Sequence, residues 1–129
     1  MIENLMLVDD DEDDREIFVS IVQRSFPEIS LSVATNGQEA MSALQNSTTT
    51  PDLIFLDLNM PLMNGRQFLH AIKKDERLQK IPIVILSTSS DKQTILDMKA
   101  MGVFDFITKP DKYSVWKESL NNVFTNFQV

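Results

Sequence analysis

The chain has 129 residues, a formal net charge of −7, 43% apolar content and no cysteine, so residues 1–129 are expected to form one compact domain with one core. Disulfides and thiolate metal sites are excluded, no apolar run approaches the roughly 20 residues that span a bilayer, and the first residues lack the basic stretch of a signal peptide, which together fit a cytoplasmic protein. The acidic balance, concentrated near the N-terminus, speaks against direct nucleic-acid binding and for a cation site.

Apolar runs alternate with helical patterns along the chain. Leu5–Val8 predicts a strand that ends on acids. From about Asp14, the residues Ile17, Phe18, Ile21, Val22 and Phe26 recur at helical spacing, and Pro27 stops that helix. Leu31 and Val33 alternate with Ser32, as in a half-buried strand. Asn36-Gly37 signals a turn into a short helix through Ala40, Met41 and Leu44, and residues 46–51 form a polar loop. Leu53–Leu56 is apolar without alternation, as in a central parallel strand buried on both faces. A loop over Asn59–Gly65 leads to a helix carrying Phe68, Leu69 and Ile72. Pro82 opens another unalternating strand, Ile83–Leu86. Ser90 or Asp91 caps a helix carrying Ile95, Met98 and Met101, which Gly102 closes. Val103–Ile107 is a fifth strand, and Trp116, Leu120, Val123 and Phe127 mark the last helix. Five strand–helix units in strict alternation predict an α/β fold, a parallel sheet with helices on both faces.

Ligands in such folds sit beyond the carboxyl ends of the strands. Asp9 and Asp10 follow the first strand, Asp57 the third, Ser87 the fourth and Lys109 the fifth. One rim of the sheet should therefore gather three carboxylates, a hydroxyl and an ammonium. Close carboxylates repel and raise one another's pKa, and a hard dication such as magnesium relieves that repulsion through oxygen ligands. A carboxylate is also a nucleophile able to form an aspartyl phosphate, with a metal and a lysine neutralising the phosphoryl oxygens. Asp11, Glu12 and Asp13 read as a solvated patch favouring a helix N-terminus, and Asp14 as capping or beginning the first helix. His70 reads as a helix or surface residue, and the methionines at helical spacing as core.

The segments Val8-Asp-Asp10, Leu56-Asp-Leu-Asn-Met-Pro61 with Gly65, Ser87-Thr88 after an apolar strand, and Lys109-Pro110 together resemble the response-regulator receiver family over essentially the whole chain. That resemblance implies a doubly wound, flavodoxin-like sheet of order 2-1-3-4-5 with five helices. By position it makes Asp57 the phospho-acceptor, Asp10 a direct Mg2+ ligand and Asp9 a neighbouring acid acting through water. The carbonyl of Asn59 becomes the third protein ligand, Ser87 the switch hydroxyl, Lys109 the phosphate-pairing lysine and Phe106 the switch aromatic. It implies a signalling switch of a two-component phosphorelay, not a turnover enzyme. Its partners would be a histidine kinase or histidine phosphotransfer protein and a downstream protein, met through the face from Asp91 to Phe127. It also implies a cis Lys109–Pro110 peptide, since the trans preference before proline is only about 0.5–1 kcal/mol.

Ser87 stands where threonine is more usual, Thr88 where a smaller residue is common, and Phe106 lacks a tyrosine hydroxyl. The Ser-Thr-Ser-Ser run and the Asp11–Asp14 stretch are similar to small receivers that work beside phytochrome-type or hybrid kinases. Three rival functions fit less well. A haloacid-dehalogenase-type phosphotransferase wants an acid two residues after its nucleophile, where this chain has Asn59. A degenerate binding module would not keep all five site groups. A DNA-binding regulator would need an effector domain after the fifth helix.

Overall fold

The unalternating apolar runs do form the centre of one parallel sheet. The computed structural model describes residues 2–127. Among them strands and helices alternate as β1 (Asn4–Val8), α1 (Glu12–Ser25), β2 (Ser30–Ala34), α2 (Gly37–Gln45), β3 (Leu53–Asp57), α3 (Gly65–Lys74), β4 (Ile83–Ser87), α4 (Lys92–Ala100), β5 (Asp105–Thr108) and α5 (Tyr113–Asn126). The strand order is β2-β1-β3-β4-β5 and each neighbouring pair is parallel. The doubly wound fold implied by the motifs is the observed one.

Side chains of a strand point alternately to opposite faces, and here that divides the core in two. Met6, Val8, Ile54, Leu56, Ile83 and Ile85 pack against α2, α3 and Met98 of α4. Leu5, Leu7, Leu53, Phe55, Val84 and Leu86 pack against α1 and α5, where Phe18 and Phe55 meet edge-on at 5.0 Å and Trp116 is fully buried. Every residue of β3 and β4 is buried, as strands covered by helices on both sides require. Val33 departs from the expected alternation. It is 40% exposed, lining an open groove with Arg15 and Val19 of α1, whereas Leu31 packs partly against the core.

Local signals fix the helix ends. Helix α1 starts two residues before the expected Asp14, because the Asp11 side chain caps it by accepting from the Asp14 amide at 2.9 Å. Helix α3 opens with a capping box between Asn64 and Gln67. Asp91, not Ser90, caps α4. Gly102, at φ +79, closes α4 as the Gly102 amide donates to Lys99 and the Val103 amide to Met98, a Schellman ending. This ending takes up Val103 and Phe104, so β5 begins at Asp105 instead of Val103.

Two loops set the rim. Leu62 and Met63 both adopt left-handed backbone, at φ 48 and 72. Their carbonyls accept from the first two amides of α2, those of Gln38 and Gly37. The Lys109–Pro110 bond is trans, since no cis peptide occurs among the described residues, and the expected cis bond is corrected. The bend is not needed. The Lys109 amide donates to the Ser87 carbonyl at 2.7 Å, which extends the β4–β5 ladder and already brings the ammonium to the rim.

Gly65 approaches the chain at Asp57 more closely than any side chain allows. A Cβ there would lie 2.5 Å from the Asp57 carbonyl oxygen and 2.6 Å from Leu58 Cα, both backbone atoms. Gly65→Ala should therefore destabilise the protein by about 1–3 kcal/mol. In urea unfolding, this appears as a lower midpoint with an unchanged slope.

Candidate functional site

The sheet register brings scattered polar residues level. Val8 pairs with Leu56, Asp57 with Leu86 and Ser87 with Thr108, so Asp9, Asp57, Ser87 and Lys109 all emerge at the carboxyl edge. Asp9 is held by its own backbone: its amide donates to Ala34 and its carbonyl accepts from Arg15 Nη1 at 3.1 Å. Its Oδ1 accepts from the Asp11 amide at 3.0 Å. Asp57 Oδ1 accepts from the Asn59 amide at 3.4 Å. Ser87 Oγ accepts from the Ser89 amide at 3.1 Å, which leaves its hydrogen to be donated elsewhere.

Asp9, Asp57 and Ser87 are 1%, 4% and 1% exposed, and they are the buried polar side chains of the described residues. Asp9, Asp10 and Asp57 each offer a carboxylate oxygen, all within 4.8 Å of one another. The Lys109 ammonium, with 6% side-chain exposure, lies 2.8 Å from Asp14 Oδ2, 3.0 Å from Asp9 Oδ2 and 3.7 Å from Asp57 Oδ2. Burial pushes the Asp57 carboxyl up to about 7, and repulsion from Asp9 adds to this, while Lys109 and the Asn59 amide only partly oppose it. Burial likewise raises Asp9 against its bonds to Asp11 and Lys109. Burial alone would lower Lys109, but the carboxylates of Asp14 and Asp9 outweigh it and hold the ammonium well above its usual range.

One ammonium cannot neutralise this group. Asp9 Oδ2 is buried and makes no directed hydrogen bond despite its ion pair with Lys109. A buried carboxylate oxygen held by an ion pair alone, within an all-oxygen donor set, fits a hard dication. On the Ser87 side of the rim lies a cleft of about 180 Å³ lined by Leu58, Asn59, Asn64, Arg66, Ser87 and Ser89 among others.

The structure thus brings together Asp9, Asp10, Asp57 and Lys109, with Ser87 and Asn59 on the same rim. Phe106 lies one layer below, paired with Ile85 in the ladder, half-buried against the α2–α4 core. Asp11, Glu12 and Asp13 are exposed at the helix start and His70 is exposed on α3, as expected. Asp14 is the residue the sequence reading missed. Instead of only beginning α1, it bonds the Lys109 ammonium across 95 residues of sequence. Spacing from the cap at Asp11 marks Asp14 as the third helical position, but it does not reveal the partner of its side chain.

The model of the response regulator receiver domain matches residues 5–120. The chain belongs to this family. Among its curated relatives, CheY1 of Helicobacter pylori, a chemotaxis protein, is 34% identical over 119 residues, covering 92% of this chain and 94% of that one. Response regulator Rcp1 of Synechocystis is 31% identical over 110 residues, covering 81% and 75%. The phosphorylated cyanobacterial phytochrome response regulator RcpA superposes with a TM-score of 0.86 at 30% identity, covering 95% and 91%. A Mn2+-bound form of Rcp1 superposes equally well, at 0.86 with 26% identity, covering 97% and 94%. Other matches are longer, and the receiver spans only 28% of a protein-glutamate methylesterase from Treponema denticola. Receiver domains bind a divalent metal ion at an acidic pocket, and this chain carries a cluster of Asp9, Asp10 and Asp57 whose oxygens lie close enough to hold one. No helix among the described residues is long and apolar enough to cross a membrane.

The raised Asp57 pKa sets a stability trend for the metal-free receiver. Its folded value near 7 lies above the ordinary value near 3.8. Stability from the protonated form is therefore complete below about pH 4 and lost as pH rises through 7. Asp57→Asn removes that loss. Without metal, the variant should exceed the wild type by about 1–3 kcal/mol at pH 8, and the gap should close toward pH 4. Paired urea titrations across this range check both the sign and the window.

Proposed function

We propose that this receiver accepts a phosphoryl group on Asp57 and passes the signal on by changing shape. The observation that carries the reading is the position of Asp57: buried, nucleophilic, beside a metal-fitting acid pair and 3.7 Å from a lysine ammonium. The donor would be a phosphohistidine of a kinase or phosphotransfer protein. Likeness to Rcp1 and RcpA favours a kinase of the phytochrome type. A carboxylate oxygen of Asp57 forms the new P–O bond while the donor's P–N bond breaks, and its electron pair leaves on the imidazole nitrogen. Hydrolysis later returns the carboxylate and inorganic phosphate. The protein is thus a switch in the cytoplasm with no external substrate to turn over.

Asp10, Asp57 and the Asn59 carbonyl would hold magnesium, with Asp9 linked through water. Bound there, the ion would supply charge neutralisation to the carboxylates and the incoming phosphoryl group. Lys109 and the free Ser87 hydrogen answer the phosphoryl oxygens from β5 and β4. The half-buried Phe106 lies on the same strand as Lys109, beside a groove of about 250 Å³ lined by Ile95, Lys99, Val103 and Phe104. Drawing Ser87 inward would let that ring turn further in and alter the face formed by α4, β5 and α5, where a partner would bind.

Acetyl phosphate with magnesium should add one hydroxylamine-labile phosphate to the wild type and none to Asp57→Asn. Labelling of the variant at the wild-type rate would falsify the assignment. Asp10→Ala should weaken magnesium binding by at least about tenfold, the scale at which even indirect partners of a metal site matter. Isothermal titration measures that loss directly.

A further inference from the structure

Lys109 has three donor hydrogens and three carboxylates within 4 Å, which it serves unequally. Its shortest contact is not with Asp57 at 3.7 Å but with Asp14 at 2.8 Å, and Asp9 comes second at 3.0 Å. Asp14 reaches it for a local reason. At the third helical position, an acid often folds back onto the amide of the cap residue. Here the Asp11 amide is already taken by Asp9 Oδ1, so the Asp14 side chain is released toward β5. The Asp14 amide stays on the Asp11 carboxylate, so the helix start does not depend on the Asp14 side chain. The backbone of Lys109 is pinned to Ser87 at 2.7 Å, and only its side chain is left to choose among partners.

The geometry points to Asp14 as a positioning residue that parks the Lys109 ammonium away from Asp57 until a phosphoryl group competes for it. This rests on Asp57 being the phosphoryl acceptor. The arriving group carries about −1.5 to −2 charges, enough to draw the ammonium off a single carboxylate. Asp14 thereby opposes the phosphorylated state in two ways. It retains the lysine, and its own charge repels the phosphoryl oxygens. The same charge attracts the dication. Loss of the Asp14 carboxylate should therefore move the two affinities in opposite directions, whereas mere loosening of the site would weaken both.

The test uses the whole chain, with beryllofluoride as the phosphoryl mimic. Asp14→Asn, which keeps the size, and Asp14→Ala should bind beryllofluoride about three- to tenfold more tightly at saturating magnesium, and bind magnesium alone more weakly. Asp14→Glu should return both affinities toward the wild type. The Lys109 ammonium resonance of Asp14→Asn, before any ligand, should already lie toward its beryllofluoride-bound position. If the wild type takes up beryllofluoride and the variants bind it no more tightly, with the resonance unmoved, the role of Asp14 is overturned while the receiver reading stands. If Asp57→Asn binds beryllofluoride as well as the wild type does, both fall.

Discussion

Three carboxylates converge on one ammonium at the carboxyl edge of a buried sheet, with Asp10 close by, and this shortage of positive charge governs the rest. Asp9 and Asp57 cannot retreat to solvent, because the sheet that carries them is covered on both faces. Burial lifts both pKa values, and a neighbouring charge lifts each further, that of Asp9 acting on Asp57 and that of Asp14 on Asp9. The folded chain therefore holds an unfavourable arrangement ready for two cationic remedies, a proton or a metal. Such a centre is poised, since whatever changes the local charge changes which remedy prevails.

The fold tolerates this because the cost is confined to one edge. Below the rim, β3 and β4 are apolar on every face, and the two core halves meet through them. Each large side chain buried there contributes roughly 1.5–3 kcal/mol. The strained rim is thus carried by the least deformable part of the molecule. Position is also transmitted through backbone. The Lys109 and Leu58 amides donate to carbonyls of β4, so the lysine and the chain just after Asp57 are tied to one strand.

Much of this was legible in the sequence, for a simple reason. β1, β3 and β4 are apolar runs that stop abruptly at Asp9, Asp57 and Ser87, so the strand end and the site residue announce each other. Parallel alternation then sends all three ends to one side. What was not legible depended on side-chain direction or on competition for one partner. The role of Asp14 follows from which carboxylate wins the Asp11 amide, and no periodicity encodes that. The exposure of Val33 depends on how far α1 reaches across an edge strand. A cis bond before Pro110 was expected from motif alone, but the Lys109 amide's bond to Ser87 already sets the direction of the chain.

The loop after Asp57 carries a further meaning. Leu62 and Met63 are bulky residues in a backbone region that normally suits glycine, each at a cost of about 1–2 kcal/mol. Their carbonyls nevertheless complete the first turn of α2, whose leading amides would otherwise lack partners. That loop works as a strut between the end of β3 and a helix on its flank. Asparagine or glycine in place of Leu62 would relax the backbone and steady the protein, yet it would also soften the strut. Stability and stiffness are set against each other at this point.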